Sequence, residues 1–214
     1  MPKKESTWRV LQHDPIEQLA DNLWRVNGAL PGMSLRRNMT VVRRRDGTLV
    51  LHSAIALQDS AMRELEALGT PAAIIVPNRA HRLDAPGYKE RYPAIRVYTP
   101  RGARKYVEEV VPVDGTYEDF PHDEDVRLEM LEGVREGEGA MIVHSSDGVT
   151  LVLNDSVMNM DTKRDVLGYL FTTVMGSAPG PRVSRLAKLL WVHDKSALRR
   201  DLERFARIPQ LVRL

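Results

Sequence analysis

The chain of 214 residues contains no cysteine. That absence excludes disulfide bridges, thiolate metal sites and cysteine nucleophiles. Long hydrophobic runs are missing as well, since the apolar stretches fall well short of the ~18 residues that a membrane span requires. The first ten residues, MPKKESTWRV, carry charge with no apolar run behind them and so do not read as a secretory signal. A soluble, cytoplasmic protein without a membrane partner is the expectation. Neither sign of charge dominates: 31 basic residues face 29 acidic ones and leave a net +2. The densest basic cluster, Arg43, Arg44 and Arg45, stands directly before a turn and reads as a solvated hairpin end, so no nucleic-acid partner is expected. No Gly-x-Ser-x-Gly occurs, which removes the usual signal for a nucleophile elbow. The stretch SAPGPR lacks the glycine spacing and lysine of a phosphate loop.

What remains is a chain with 43% hydrophobic and 28% charged residues, suited to one domain over residues 1–214 with a core of ordinary size. Residues 1–20 read as an N-terminal extension and residues 162–207 as a helical part. NLWRVNG (22–28) alternates as a strand does. Asp46-Gly47 then sits between two β-rich runs, and Asp-Gly suits the positive φ of a tight hairpin. QDSAMRELEALG reads as a helix capped by Asp59 or Ser60, with Met62, Leu65 and Leu68 on one face and Gly69 at its end. PAAIIV (71–76) is a short continuous apolar run, the mark of a strand buried on both faces. A polar loop, a short helix around PGYKERYP and the strand AIRVYTP complete an α/β pattern. VPVDGTYEDFPHDEDV reads as an exposed acidic connection, VRLEMLEG as a strand, and GAMIVHSSDGVTLVLND as a hairpin turning at Asp147-Gly148. From Thr162 the spacing becomes helical, with SAPGP as a breaker.

The stretches DGTLVLHSAIAL, VPNRAHRLDAPGYKERYP, IRVYTPRGARKY and TLVLNDSVMNM, with the helical RVSRLAKLLWVHDKSALRRDLERF, resemble the metallo-β-lactamase superfamily in order from about Leu35 onward. The likeness is to a branch without the usual metal-ligand motif. It implies an αβ/βα four-layer sandwich, truncated at its C-terminal end, because the chain stops at IPQLVRL where a last ligand strand would begin. Active members of that superfamily carry His-x-His-x-Asp-His after a buried strand, so that zinc has protein ligands and one open position for water. The resemblance puts Asn78, Ala80, Arg82 and Leu83 at those four positions, and none is the expected ligand. Only Asp155, in LVLND, matches a bridging carboxylate; Glu136 is the nearest counterpart of a later histidine.

The binding candidates are therefore His52, Asn78, His81, Arg82, Asp84 and Asp155. The favoured expectation is a metallo-β-lactamase-fold protein with no metal or other cofactor and no catalysis, binding a small molecule or a protein. In that case His52 and Asn78 satisfy loop backbone, and Arg82 forks onto Asp155 in place of a dication. The alternative is a metal-dependent hydrolase with one zinc, or another divalent metal, on His52, His81 and Asp155. A third reading is a structural protein that self-associates through its helical part, with Met158, Met160 and the apolar helices around Leu167–Met175 and Leu186–Trp191 as surface. His144, at the turn end of its hairpin, is expected to lie away from Asp155; His13, His122 and His193 read as loop residues without a site.

Overall fold

A computed structural model describes residues 8–135, 137–162 and 165–214. The side chains of Met160, Leu167 and Leu186 lie outside the described residues, as does Glu136.

The chain runs β1 (Glu17–Ala20), β2 (Leu23–Leu30), β3 (Met33–Arg43), β4 (Thr48–His52), α1 (Asp59–Leu68), β5 (Thr70–Ile75), α2 (Ala85–Arg91), β6 (Arg96–Thr99), α3 (Arg104–Val107) and β7 (Gly115–Thr116). It continues through β8 (Val126–Met130), β9 (Gly139–Ser145), β10 (Gly148–Val152), β11 (Met158–Met160), α4 (Val166–Tyr169), β12 (Gly180–Arg182), α5 (Arg185–Leu190), α6 (Lys195–Phe205) and β13 (Leu211–Arg213). Strands β1 to β7 form one sheet in sequence order. It is antiparallel as far as β4 and parallel from β4 to β7. A second sheet has the order β13-β10-β9-β8, and β11 pairs with β12 separately.

Alternation along β4 explains the layering. Leu49 and Leu51 point to one side of the large sheet and Val50 to the other. The first side packs on Met62 and Leu65 of α1 and Tyr88 of α2. The second packs on Val126, Leu128, Met141 and Val143 of the small sheet. The far side of the small sheet, Ala140, Ile142 and Leu151, is covered by Leu198 and Phe205 of α6. The result is helix, sheet, sheet, helix: four layers over three apolar interfaces.

Several local expectations are corrected. The N-terminal cap position of α1 is Gln58, which makes no side-chain capping bond, rather than Asp59 or Ser60. The acidic connection is not simply exposed, because Tyr117 and Phe120 are buried in the inter-sheet core. The helical part also contains strand β12 and a π-helical turn, Leu170–Val174. Gly47, at φ +80°, makes the first hairpin turn as Asp-Gly suggests. Among the described residues no helix is long and apolar enough to cross a membrane.

Candidate functional site

The carboxyl ends of β4, β5 and β10 meet at one edge of the sandwich. Open α/β sheets place ligands at such ends, where loops leave the strands and backbone groups are free to be redirected. His52 ends β4, the loop 76–84 leaves β5, and Asp155 follows β10.

Within the β5 loop, Asn78 Oδ1 accepts from the Ala80 amide at 2.8 Å, a side-chain turn that holds the loop tight. The same residue's Nδ2 donates to Asp155 Oδ2 at 2.9 Å. His81 reaches the other carboxylate oxygen, its Nε2 lying 3.4 Å from Asp155 Oδ1. On its far side, His81 Nδ1 is 2.6 Å from the hydroxyl of Ser53. Burial works against the charge on Asp155, but the hydrogen bond and charge of His81 and the hydrogen bond of Asn78 together hold its pKa below the usual carboxylate value.

His52 sits just below. It is fully buried, and its Nε2 lies 3.4 Å from Asn154 Nδ2. Burial, with His81 nearby, pushes its pKa down to about 3, so it is neutral across the physiological range.

Arg82 is not on Asp155. It turns to α3, donating to Glu109 Oε2 at 2.6 Å and to the Tyr106 carbonyl. The expected arginine–carboxylate pair is thus overturned, because Glu109 and a backbone carbonyl offer the guanidinium a less buried arrangement. Leu83 is exposed. Asp84 is placed below the loop instead of at its rim. Its Oδ2 accepts from the Ala56 amide at 2.9 Å and lies 2.6 Å from Arg37 Nη2, with both side chains buried. A buried carboxylate on a backbone N–H and a guanidinium is a brace, tying the loop after β4 to the loop after β5.

Glu138, immediately before β9, completes the constellation. It accepts from the amide of Ser156 at 2.9 Å and from the Ser156 hydroxyl. Burial raises its pKa to about 7, and the neighbouring Asp155 charge adds to the effect. Tyr117, buried beside it, has its pKa raised by burial and by the Glu138 charge, and its hydroxyl has no hydrogen-bond partner among the described residues.

Ser53, Glu138, Asn154 and Ser156 were not among the candidates. One signal was there to be read: a glutamate abutting the all-apolar GAMIV. His144 lies at the opposite end, as its hairpin register implies. There it lines an open cleft of about 690 Å³ with Arg43, Arg44 and Arg45. In that cleft Arg44 pairs with Asp123 and Arg45 with Glu124 and Asp125, while Arg43 lies over the Trp24 ring. His13 Nε2 accepts from the Gln58 amide at 3.0 Å and His122 Nδ1 from the Leu128 amide at 3.2 Å, both bracing backbone.

The four-layer arrangement has solved counterparts. The crystal structure of DIM-1 metallo-β-lactamase is similar with a TM-score of 0.58 and 12% identity, over 94% of this chain and 90% of that one. The crystal structure of metallo-β-lactamase IND-7 gives 0.54 and 11%, over 93% and 100%. The chain has the metallo-β-lactamase fold. No family model and no curated protein matches it, and at these identities the likeness is one of fold alone.

The metallo-β-lactamase fold implies a metal centre at this edge, and the donor set here can be tested against one. Of the four positions assigned by resemblance, Asn78 gives its amide N–H to Asp155, Ala80 has only a methyl, Arg82 faces Glu109 and Leu83 is exposed. Among the described residues no three histidine, aspartate or glutamate side chains form a group that could hold a metal ion, and this includes His52, His81 and Asp155. Both oxygens of Asp155 are engaged by protein donors. The residues present do not fit a dinuclear centre.

Proposed function

We propose that this metallo-β-lactamase-fold chain works without a dinuclear metal centre and uses its strand-end network as a metal-independent site for a small polar molecule. One observation carries the reading. The residue in the first ligand position, Asn78, donates a hydrogen bond to the carboxylate that would otherwise bridge metals. The Asp155 carboxylate is thus held by an amide and an imidazole where a bridging ligand would be held by cations.

The test is elemental analysis of protein purified without chelator, paired with thermal melting in added zinc or manganese. A specific site at 100-fold excess over its dissociation constant would stabilise by about 2.7 kcal/mol. Substoichiometric metal and an unchanged melting temperature are expected. A stoichiometric divalent ion would overturn the reading. Self-association through the helical part is a second reading, favoured by the exposure of Tyr169, Leu170, Val174 and Leu189.

A further inference from the structure

We propose that Ser53, His81 and Asp155 form a serine-nucleophile relay that accepts the acyl group of a small carboxylic ester. The inference rests on the metal-independent reading above and gives its site a chemistry.

The contacts run in the order such a relay needs. The Ser53 hydroxyl lies 2.6 Å from His81 Nδ1, and His81 Nε2 lies 3.4 Å from Asp155 Oδ1. A nucleophile within reach of a base, and that base oriented by a third group, is the arrangement that activates a hydroxyl. The three residues come from three separate strand ends, so no local sequence constraint puts them together. An ionised Asp155 accepts from Nε2–H and thereby fixes the tautomer, leaving the lone pair of Nδ1 facing the Ser53 O–H. Nδ1 and Nε2 exchange the places they have in the familiar serine proteases, with the same roles preserved.

The backbone supplies an independent observation. Ser53 has φ +57°, one residue beyond the end of β4. A serine seldom adopts the left-handed region, and such residues gather where a side chain must be aimed. A strand-end serine on a strained turn before a helix is also how the nucleophile elbow presents its hydroxyl. Here five residues separate the turn from α1, so the likeness is to the device and not to its motif. The turn is held on both sides: the Ser53 amide donates to the Ile75 carbonyl at 2.9 Å, and Asp84 binds the Ala56 amide. A hydroxyl serving only to satisfy an imidazole needs neither the unusual backbone nor the brace.

Access comes from the base side. Ser53 is 3% exposed, whereas the side chains of His81 and Asp155 are 19% and 25% exposed. A substrate therefore enters over the imidazole, and its acyl part must be small.

The step balances with water as co-substrate. Ser53 Oγ bonds to the acyl carbon while its proton passes to His81 Nδ1. The tetrahedral adduct expels the alkoxide, which takes that proton and leaves as the alcohol. Water then attacks the Ser53 ester, giving a proton to Nδ1, and the carboxylic acid departs as the Ser53 hydroxyl is restored. Asp155 stays ionised and steadies the imidazolium. Asp155 and Asn78 act here as positioning residues; Ser53 and His81 touch the reacting atoms.

The experiment treats the whole chain, in chelator, with an alkyl fluorophosphonate, which forms an Oγ–P bond as fluoride leaves, and locates the adduct by peptide mass spectrometry. One adduct on Ser53 is expected, absent from Ser53→Ala and from heat-denatured protein. His81→Gln, checked for a native circular dichroism spectrum, should label on the order of 100-fold or more slowly, the usual contribution of a positioned base. Should that variant not fold, Asp155→Asn gives the same slowing through the wrong tautomer. No adduct on Ser53, equal labelling of denatured protein, or an undiminished rate in a folded variant would each overturn the relay. Metal content measured on the same preparation before chelator is added separates the two ideas. Stoichiometric metal removes the metal-independent reading, while metal-free protein that stays unlabelled removes the relay alone.

Discussion

Glu138 is a buried carboxyl held on Ser156 and facing the negative Asp155, and its titration makes stability depend on pH. The unfolded chain loses this proton near 4.5, whereas the folded chain keeps it until about 7. Between those values the native state binds more protons, so Glu138 makes stability fall as pH rises, and the loss is complete above pH 7. Carrying the group from 4.5 to about 7 corresponds to about 3 kcal/mol at ~1.4 kcal/mol per pH unit. Glu138→Gln keeps an oxygen for Ser156 and removes the ionisation. Urea unfolding should show the variant gaining up to about 3 kcal/mol over the parent at pH 8 and nothing at pH 4.5. An equal effect at both pH values would mean that Glu138 does not titrate in this window. His52 acts in the opposite sense: its folded value of about 3 lies below the ordinary 6.5, so it lowers stability as pH falls through that range. The parent therefore shows a flatter profile than either group alone would give.

Legibility at this scale was uneven, for a physical reason. His81 and Asp155 could be picked out because their loops follow apolar strands, which marks them as strand-end residues. Ser53 could not, since serine is an ordinary surface residue until a fold buries it, and Glu138 offered only its place before an apolar run, which does not say what it meets. Arg82 was misplaced because a long guanidinium side chain settles on whichever carboxylate is nearest, and Glu109 lies in a part of the chain that its own loop says nothing about.

Among the elements, those with strong periodicity were readable: β4, β5, β9, β10, α1 and α6 fall where alternation or three- and four-residue spacing puts them. The two- and three-residue strands β7, β11, β12 and β13 were not, because so short a stretch has no period and exists only by pairing with a neighbour. Gly139 shows a constraint of close approach: a Cβ there would stand 2.4 Å from the Tyr117 ring and 2.5 Å from the Glu129 carbonyl, so only glycine lets β9 start beside Glu138. Helix α6 contributes the fourth layer through Phe205, which is 1% exposed against Ile142 and Leu151. Phe205→Ala should cost about 3–5 kcal/mol. Denaturant unfolding measures it, and a loss below about 1 kcal/mol would mean that α6 is not packed as a layer.

For the whole molecule, three apolar interfaces hold four layers, and the helical part keeps exposed apolar groups. Leu189 is 79% exposed and Tyr169 is 53% exposed. Leaving large apolar side chains in water forgoes up to about 1.5–3 kcal/mol each. We therefore expect a second copy to cover them, with light scattering after size-exclusion chromatography giving twice the 24.2 kDa chain mass. Leu189→Glu should return the monomer; a strictly monomeric parent at every concentration would dismiss this expectation.

Apolar periodicity and turn chemistry determined the α/β character, the two hairpins, and the placing of His52, Val76 and Asp155 at or just past strand ends, although the second hairpin turns at Ser146-Asp147 with Gly148 already in β10. The absence of the four ligands after β5 also stands in the sequence, since a missing residue type needs no coordinates to be seen. Contacts between loops were decided only in three dimensions, because hydrogen bonds join atoms by distance and not by order along the chain. Ser53 and Asp155 meet the two nitrogens of His81 from 28 and 74 residues away. That meeting turns a loop stripped of metal ligands into an arrangement with a nucleophile, a base and a carboxylate in line.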